Sequence, residues 1–309
     1  LEEARNEELA GIEEQKSDPQ ALVSNAISRH LNPYPKGDVR YVNTPAEEIE
    51  AVKAVNLEEI KKFHKDFYGA NNATISIVGD FNEDQIKTQL DKEFGTWNSK
   101  MKFTRIADKY IDVPKADVNI ETPDKANAMF LAGCNLEIRD DDPQYPAMVL
   151  ANYILGGGFL NSRLATRIRQ KEGISYGVGS QFNADAQDKS GGFMAYAIYA
   201  PENRDKLISA FNEEISKMLK DGFTEQEIKD AKSGLLQSRR VNRSQDNSLS
   251  SQLNMMSYLG RNMTFTQDLE KRIEALTPDD LNAAVRKHIS LDKISMFKGG
   301  DFANKLKKP

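Results

Sequence analysis

Hydrophobic residues follow two different spacings along this chain, and each spacing predicts a different kind of element. Between residues 57 and 67 the apolar side chains recur every three to four positions, which predicts a helix with one apolar face. Residues 73–79, ATISIVG, form a short apolar run rich in β-branched residues, which predicts a buried strand. The chain therefore contains both helices and strands.

The remaining elements are predicted from capping residues, breakers and periodicity. Helices are predicted over residues 1–31 with a break at Asp18-Pro19, and over 143–155, 202–220, 224–258 and 277–289. Further strands are predicted near 117–121, 127–134, 192–200 and 293–298. The polar residues 98–117 are predicted to hold a domain boundary.

An internal repeat relates two parts of the chain. VNLEEIKKFHKDFYGANNATISIVGDFN begins at Val55, and LTPDDLNAAVRKHISLDKISMFKGGDFAN begins at Leu276. Both run from a capping residue through a helix and a strand to Gly-Asp-Phe, and Gly79 and Gly300 are 221 residues apart. The repeat predicts two modules: residues 1–105 are the C-terminal half of a first, truncated module, and residues 106–309 are a nearly complete second one.

Composition narrows the classes of protein that fit. With 309 residues the chain has room for about two domains. Its net charge of -5 argues against nucleic-acid binding, and no apolar run is long enough to predict a membrane span. The single cysteine, Cys134, lies in an apolar run that predicts a buried, unreactive thiol. Leu1 opens directly into a helical pattern without an initiator Met or a signal peptide, so we expect a piece of a longer protein.

Three stretches resemble the pitrilysin-type (inverzincin, or M16) zinc peptidases. They are FYGANNATISIVGDFNEDQIKTQLDKEFGTW, RDDDPQYPAMVLANYILGGGFLNSRLATRIRQKEGISYGVGS and LTPDDLNAAVRKHI. The second is the most specific, because a glycine run, Ser-Arg-Leu and then R-x-K-x-G-x-x-Y follow a helix. The resemblance implies an α+β fold of tandem repeats, each a mainly antiparallel sheet packed with helices on one face (the LuxS/MPP-like metallohydrolase type). It also implies that two such halves close over a peptide chamber.

The metal motif of that family, H-x-x-E-H, is absent from this sequence. The motif needs two histidines on one helical face to hold zinc and a glutamate to activate water. The three histidines here are His30, His64 and His288, and none has a second histidine within five residues. We therefore predict no metal ligand and no cofactor in this chain. The resemblance implies that zinc belongs to an N-terminal half not included here.

The family resemblance also implies two substrate contacts, Arg169 and Tyr176, at a spacing of seven in IRQKEGISY. Guanidinium and phenol groups are both hydrogen-bond donors that suit a peptide carbonyl or a developing oxyanion. From the residues alone, two other interpretations stay open. Strand alternation places Tyr176 on one face with Ile174 and Val178, as a core tyrosine would be. Arg169 belongs to a helix with two further arginines, which is typical of a solvated surface.

Two other motifs have structural and ligand-binding interpretations. The run Gly156-Gly157-Gly158 follows a helix, so it predicts helix termination and close packing, whereas a phosphate-binding loop would follow a strand. Asp140, Asp141 and Asp142 precede a proline, which favours helix capping over cation binding.

These observations lead to one functional hypothesis and one alternative. We expect the C-terminal, substrate-binding portion of a zinc-dependent endopeptidase, inactive by itself, with Arg169 and Tyr176 as substrate contacts and the strand 192–200 as an edge for an extended peptide. Its partners would be peptide substrate and the N-terminal half of the same protein, or a partner subunit with the zinc site. The alternative is a non-catalytic partner or structural subunit of a heteromeric complex. The sequence leaves the location open, and only the family resemblance, through its exported bacterial members, points to the periplasm.

Overall fold

A computed structural model of the protein describes residues 1–305, and one five-stranded sheet organises it. The strand order is β1-β5-β2-β4-β3. The strands are β1 (Asp117–Glu121), β2 (Ala128–Leu136), β3 (Ser175–Ala184), β4 (Gly191–Tyr199) and β5 (Ser295–Gly300). β1 and β5 are parallel, and every other neighbouring pair is antiparallel. The predicted α+β class with a mainly antiparallel sheet is confirmed.

Helices make up most of the rest of the described chain. The α-helices are α1 (Glu2–Gln15), α2 (Pro19–Leu31), α3 (Pro45–Ala54), α4 (Leu57–Phe67), α5 (Glu83–Phe94), α6 (Tyr145–Asn152), α7 (Arg204–Asp221), α8 (Glu225–Arg243), α9 (Asp246–Tyr258), α10 (Met263–Ala275), α11 (Pro278–His288) and α12 (Phe302–Lys305). Two π-helical segments, Tyr153–Gly157 and Ala165–Lys171, lie between α6 and β3. Short 3₁₀ turns occur at Phe159–Asn161 and Pro201–Asn203. No helix of residues 1–305 has the length and apolar character needed to cross a membrane.

The main hydrophobic core lies between one face of the sheet and the helices that cover it. Alternate residues of β2 and β4 point into this core, and the ring of Phe130 meets that of Phe211 on α7 edge-on at 5.2 Å. Cys134 is also in this core, and burial raises the pKa of its thiol to about 12. The predicted burial of this thiol is confirmed.

A second, smaller core lies on the opposite face of the sheet. Val23, Ile27 and Leu31 of α2 pack there against Met129 and neighbouring residues of β2 and β5. β2 is therefore buried on both faces, which is why its sequence AMFLAGCNL is apolar almost throughout. α2 comes from the predicted first module and packs on the sheet of the second. The predicted boundary between residues 105 and 106 stays a prediction.

The predicted strand at residues 73–79 is wrong for this chain. The segment has no strand structure, and Ile75 and Ile77 are 51% and 40% exposed. A strand needs a hydrogen-bonded neighbour, and no described strand lies beside this segment. Its counterpart in the repeat, β5, is placed between β1 and β2.

The helix predicted before that segment is present as α4, but its apolar face is uncovered. Leu57, Ile60, Phe63 and Phe67 are all exposed, with Phe63 at 55%. In the repeat counterpart, α11, the corresponding face is buried in the main core. The sequence pattern therefore predicted the helix correctly, although nothing in residues 1–305 covers its apolar side.

Candidate functional site

Arg169 lies in the π-helical segment Ala165–Lys171, directly before β3. Leu164 and Ile168 anchor this segment because both are buried in the main core. The N–H of Glu172 donates to the carbonyl of Arg167 at 3.1 Å, an i→i+5 bond. Such wide turns occur often at functional sites. The side chain of Arg169 points out of the core and is exposed.

The three arginines near this segment have different surroundings. Arg163 donates to both carboxylate oxygens of Glu227, at 2.7 and 2.9 Å. Arg167 pairs with Glu172 and Glu213. Within residues 1–305 Arg169 forms no such pair. Two arginines therefore stabilise the local structure, and Arg169 is available to a ligand.

Glu227 also caps α8, and its hydrogen bonds determine its protonation state. Burial by itself would raise the pKa of Glu227, but hydrogen bonds from Arg163 and Thr224 outweigh burial and lower the pKa to about 2. The carboxylate therefore stays charged and keeps Arg163 fixed beside the start of the Arg169 segment.

A closed turn links Arg169 to Tyr176. The N–H of Ile174 donates to the carbonyl of Ile168 at 3.2 Å, and Gly173 has a φ of +65°, which glycine adopts readily. Arg169 directly follows Ile168, and Tyr176 lies two residues, at most about 7 Å, beyond Ile174. The closed turn therefore contains Arg169, and Tyr176 follows it in the chain by two residues.

Tyr176 occupies a β-bulge at the start of β3. Ser175 pairs with Tyr199 and Gly177 pairs with Ile198, so Tyr176 is the extra residue without a partner on β4. Tyr176 is 57% exposed, whereas Ile174 and Val178 pack into the main core. The core-tyrosine interpretation is therefore wrong, because the bulge breaks the alternation on which it depended.

The glycine run packs closely on β3. A Cβ on Gly156 would lie 2.4 Å from the backbone nitrogen of Ser180, which no side chain can tolerate. The hydroxyl of Ser180 donates to Oδ1 of Asn152 at 2.8 Å and joins the same two elements. The prediction of close packing is confirmed. Phe159 follows the run with a φ of +54° and is 73% exposed.

The acidic cluster before α6 is already paired within the chain. Arg261 binds Asp140, Arg139 binds Asp141, and the backbone N–H of Gln144 donates to Asp142 at 2.7 Å. These contacts agree with the structural interpretation over cation binding.

The residues described here do not fit a zinc site. His30 contacts Ser295 at 2.9 Å, and His288 contacts Gln144 at 3.0 Å. His64 stacks on a tyrosine of the exposed α4 region. The three imidazoles lie on separate helices with partners of their own, and no group of three His, Cys, Asp or Glu side chains in residues 1–305 is arranged to hold a metal ion.

The expectation that residues 192–200 form a sheet edge is wrong. That strand is β4, which lies between β2 and β3. The sheet edge that follows Arg169 in the chain is β3, and Tyr176 lies in the bulge at the start of this strand. A free edge of this kind can add an extended peptide as a further strand.

Comparison with known proteins assigns the family. The family model described as peptidase M16 inactive domain matches residues 54–235, well over half of the chain. The chain belongs to the M16 peptidase family. This confirms the family predicted from the three stretches quoted above, and it identifies the matched region as the type of M16 domain described as inactive.

Individual proteins and solved structures are similar to almost the whole chain. A non-peptidase homolog from Helicobacter pylori, YmxG, is 24% identical over 306 residues, which are 96% of this chain and 66% of that relative. An M16 inactive domain from Pseudomonas fluorescens has 26% identity and a TM-score of 0.79, covering 96% of this chain and 69% of its own. A chain of complex III2 from Candida albicans shares the fold at 15% identity, with a TM-score of 0.71 over 98% of this chain and 72% of that one. This chain therefore spans about two-thirds of the length of these relatives.

The role of Ser175 could not be predicted from the sequence. Ser175 is 6% exposed and lies directly before Tyr176. Regular alternation does not mark it as special, because the bulge that gives it its position changes the register of β3.

Proposed function

We propose that this chain is the substrate-binding portion of an M16 zinc endopeptidase, inactive by itself and contributing Arg169 and Tyr176 to the site completed by the zinc-containing half. The observation that carries the proposal is that two exposed donors, Arg169 in the closed turn and Tyr176 in the bulge that follows it, are linked by this short segment. The neighbouring arginines are paired with carboxylates, and Arg169 has no such pair within the described residues 1–305. The family assignment supports a role outside the metal centre, since the matched domain is of the inactive type.

The two side chains suit recognition of a peptide backbone. The guanidinium of Arg169 donates hydrogen bonds and keeps its charge, and the phenol of Tyr176 donates one O–H. Both are donors toward a carbonyl oxygen, and a preorganised donor to a developing oxyanion contributes about 2.7–4 kcal/mol. The free edge of β3 would align the peptide beside them.

The uncovered face of α4 supports the proposed module arrangement. In the repeat counterpart α11, Leu281, Ala284 and Val285 are buried against the sheet and its helices. On α4 the equivalent apolar residues have no cover within residues 1–305. We therefore propose that residues 1–105 belong to a first module completed by polypeptide outside this chain, either in the same protein or in a partner subunit, and that any zinc site lies there.

A second candidate function is a structural subunit without peptidase activity in its assembly. The Helicobacter pylori relative is named a non-peptidase homolog, and one chain with the same fold belongs to complex III2. The exposed turn with two donors favours the first proposal, because a purely structural subunit does not need it.

The test uses the protein joined to the segment or subunit that completes the first module. Arg169→Ala and Tyr176→Phe should each lower kcat for peptide cleavage by about 10²–10³, the usual effect of losing one such donor, with an unchanged melting temperature. Arg240→Ala and Tyr258→Phe, both exposed and on α8 and α9, are the matched controls. Full activity in both Arg169→Ala and Tyr176→Phe would contradict the proposed role of these residues in substrate binding. An assembled protein that binds no zinc and cleaves nothing would favour the structural subunit.

A further inference from the structure

The bulge that exposes Tyr176 is closed by one buried hydroxyl. The Oγ of Ser175 lies 2.7 Å from the carbonyl oxygen of Ile198 and 2.9 Å from that of Gly177. The N–H of Gly177 in turn donates to the same Oγ at 3.2 Å. One side chain therefore contacts the backbone on the far side of Tyr176 and the facing residue of β4.

These contacts replace some of the β3–β4 backbone hydrogen bonding that the extra residue, Tyr176, disrupts. A bulge leaves one residue out of the strand ladder, so nearby backbone groups need other hydrogen-bond partners. Ser175 is 6% exposed, and water is therefore not a ready substitute for its hydroxyl. The hydroxyl favours the bulged pairing, with Gly177 opposite Ile198, over a regular pairing that would place Tyr176 there.

We propose that Ser175 is a positioning residue that holds Tyr176 in the orientation needed to contact a peptide. Ser175 itself would not touch the peptide, because its side chain is buried. The inference rests on the proposed function for its consequence, but the geometry of the bulge can be measured separately. Ser175 thereby has a role that the seven-residue spacing of Arg169 and Tyr176 did not indicate.

Ser180 provides a matched control in the same strand. It is a buried serine like Ser175, at 4% exposure, but its hydroxyl bonds Asn152 instead of the bulge. Ser180→Ala therefore removes a buried hydroxyl from β3 and leaves the contacts around Tyr176 in place. Ser175→Thr keeps an Oγ at the critical position, and Ser175→Cys replaces it with a weak hydrogen-bonding thiol of similar size.

The first measurement reports the position of Tyr176 without any ligand. The whole chain is labelled with 3-fluorotyrosine, and the ¹⁹F resonance of residue 176 is assigned by its loss in Tyr176→Phe. Ser175→Ala and Ser175→Cys should shift this resonance, Ser175→Thr should return it toward the wild-type position, and Ser180→Ala should leave it unchanged. An unshifted resonance in folded Ser175→Ala and Ser175→Cys would overturn the inference.

The second measurement links that position to binding. Fluorescence anisotropy with fluorescein-labelled oxidised insulin B chain, a peptide without fixed structure, gives the affinity of each variant. Ser175→Ala and Ser175→Cys should weaken binding about fivefold, the effect of one neutral hydrogen bond, as Tyr176→Phe should. Ser175→Thr should restore the affinity.

The two ideas fail in different ways. If Tyr176→Phe weakens binding and the Ser175 variants do not, the positioning role is wrong and the proposed function stands. If neither Tyr176→Phe nor Arg169→Ala weakens binding, the proposed function is wrong and the role of Ser175 in it falls as well.

Discussion

Arg261 binds Asp140 through two parallel hydrogen bonds, from Nη1 to Oδ2 at 2.5 Å and from Nη2 to Oδ1 at 2.8 Å. The pair joins the turn after α9 to the segment before α6, and both side chains are less than one-fifth exposed. The guanidinium and the carboxylate match in geometry and are largely shielded from water. This pair should therefore contribute more to the free energy of unfolding than an exposed ion pair does.

We expect Arg261→Ala to lower the free energy of unfolding by about 2–3 kcal/mol, since it leaves a largely buried carboxylate without its partner. Urea denaturation followed by circular dichroism measures this change. Lys293→Ala is the control, because Lys293 and Asp112 form a pair in which both side chains are more than half exposed. Its effect should stay below about 1 kcal/mol. Equal effects of the two substitutions would contradict the structural role of the Arg261 pair.

His288 predicts a pH dependence of stability. Burial, together with the positive charge of Lys287, lowers the pKa of His288 below its ordinary value of 6.5. As the pH falls through 6.5 the unfolded chain binds a proton here, whereas the folded chain does so only at the lowered pKa. The contribution of His288 to stability is therefore fully present above pH 6.5 and is lost as the pH falls to the folded-state pKa.

We expect His288→Gln to remove this part of the slope when the free energy of unfolding is measured between pH 8 and about 5. His64→Gln, which removes an imidazole from the exposed α4, is the matched control. A slope that persists unchanged in His288→Gln would assign the pH dependence to other groups.

Two glycine substitutions should change stability in opposite directions. Gly156→Ala places a methyl group against the backbone of Ser180, so we expect a loss of about 1–3 kcal/mol or more. Gly11 lies inside α1, and an added methyl group there would meet nothing within 4 Å apart from its chain neighbours and the backbone of its own helix. Gly11→Ala should therefore gain about 0.5–1 kcal/mol from helix propensity. Thermal melting of both variants measures the difference. A Gly156→Ala protein as stable as wild type would mean that β3 and the glycine run are not in close contact.

The apolar face of α4 should make the isolated chain self-associate. Exposed apolar side chains that lie together form contacts between molecules more readily than scattered ones. Ile60→Ser combined with Phe63→Ser should therefore shift sedimentation profiles toward monomer, whereas Val241→Ser, which removes one exposed apolar residue from α8, should not. Equal association of both variants would argue that this face does not drive it.

The elements that the sequence predicted well are those specified by local residues. α11 begins at a capping box in which Thr277 and Asp280 bond each other's backbone N–H, and α8 begins with the same arrangement of Thr224 and Glu227. The apolar spacing that follows each cap is decided within a few turns of chain. These helices therefore could be located without knowledge of the rest of the fold.

The segment 73–79 and the bulge at Tyr176 depend on residues far away in the sequence. A β-branched run becomes a strand only beside other strands, and none lies next to this one in the described chain. Likewise, regular alternation left a core position open for Tyr176, whereas its exposed position depends on pairing with β4 and on the hydroxyl of Ser175. The spacing of Arg169 and Tyr176 located the candidate turn, but it contained no information about the bulge.

The position of β5 has a consequence for how this sheet assembles during synthesis. Among the described strands β1 pairs with β5 alone, through contacts such as Asp117 with Met296, and β5 also separates β1 from β2. A ribosome must therefore translate nearly to residue 300 before β1 has any strand to bond with. Until then one edge of β2 has no strand partner, and this long-range closure, which is slow in general, leaves that edge open to pairing with other chains.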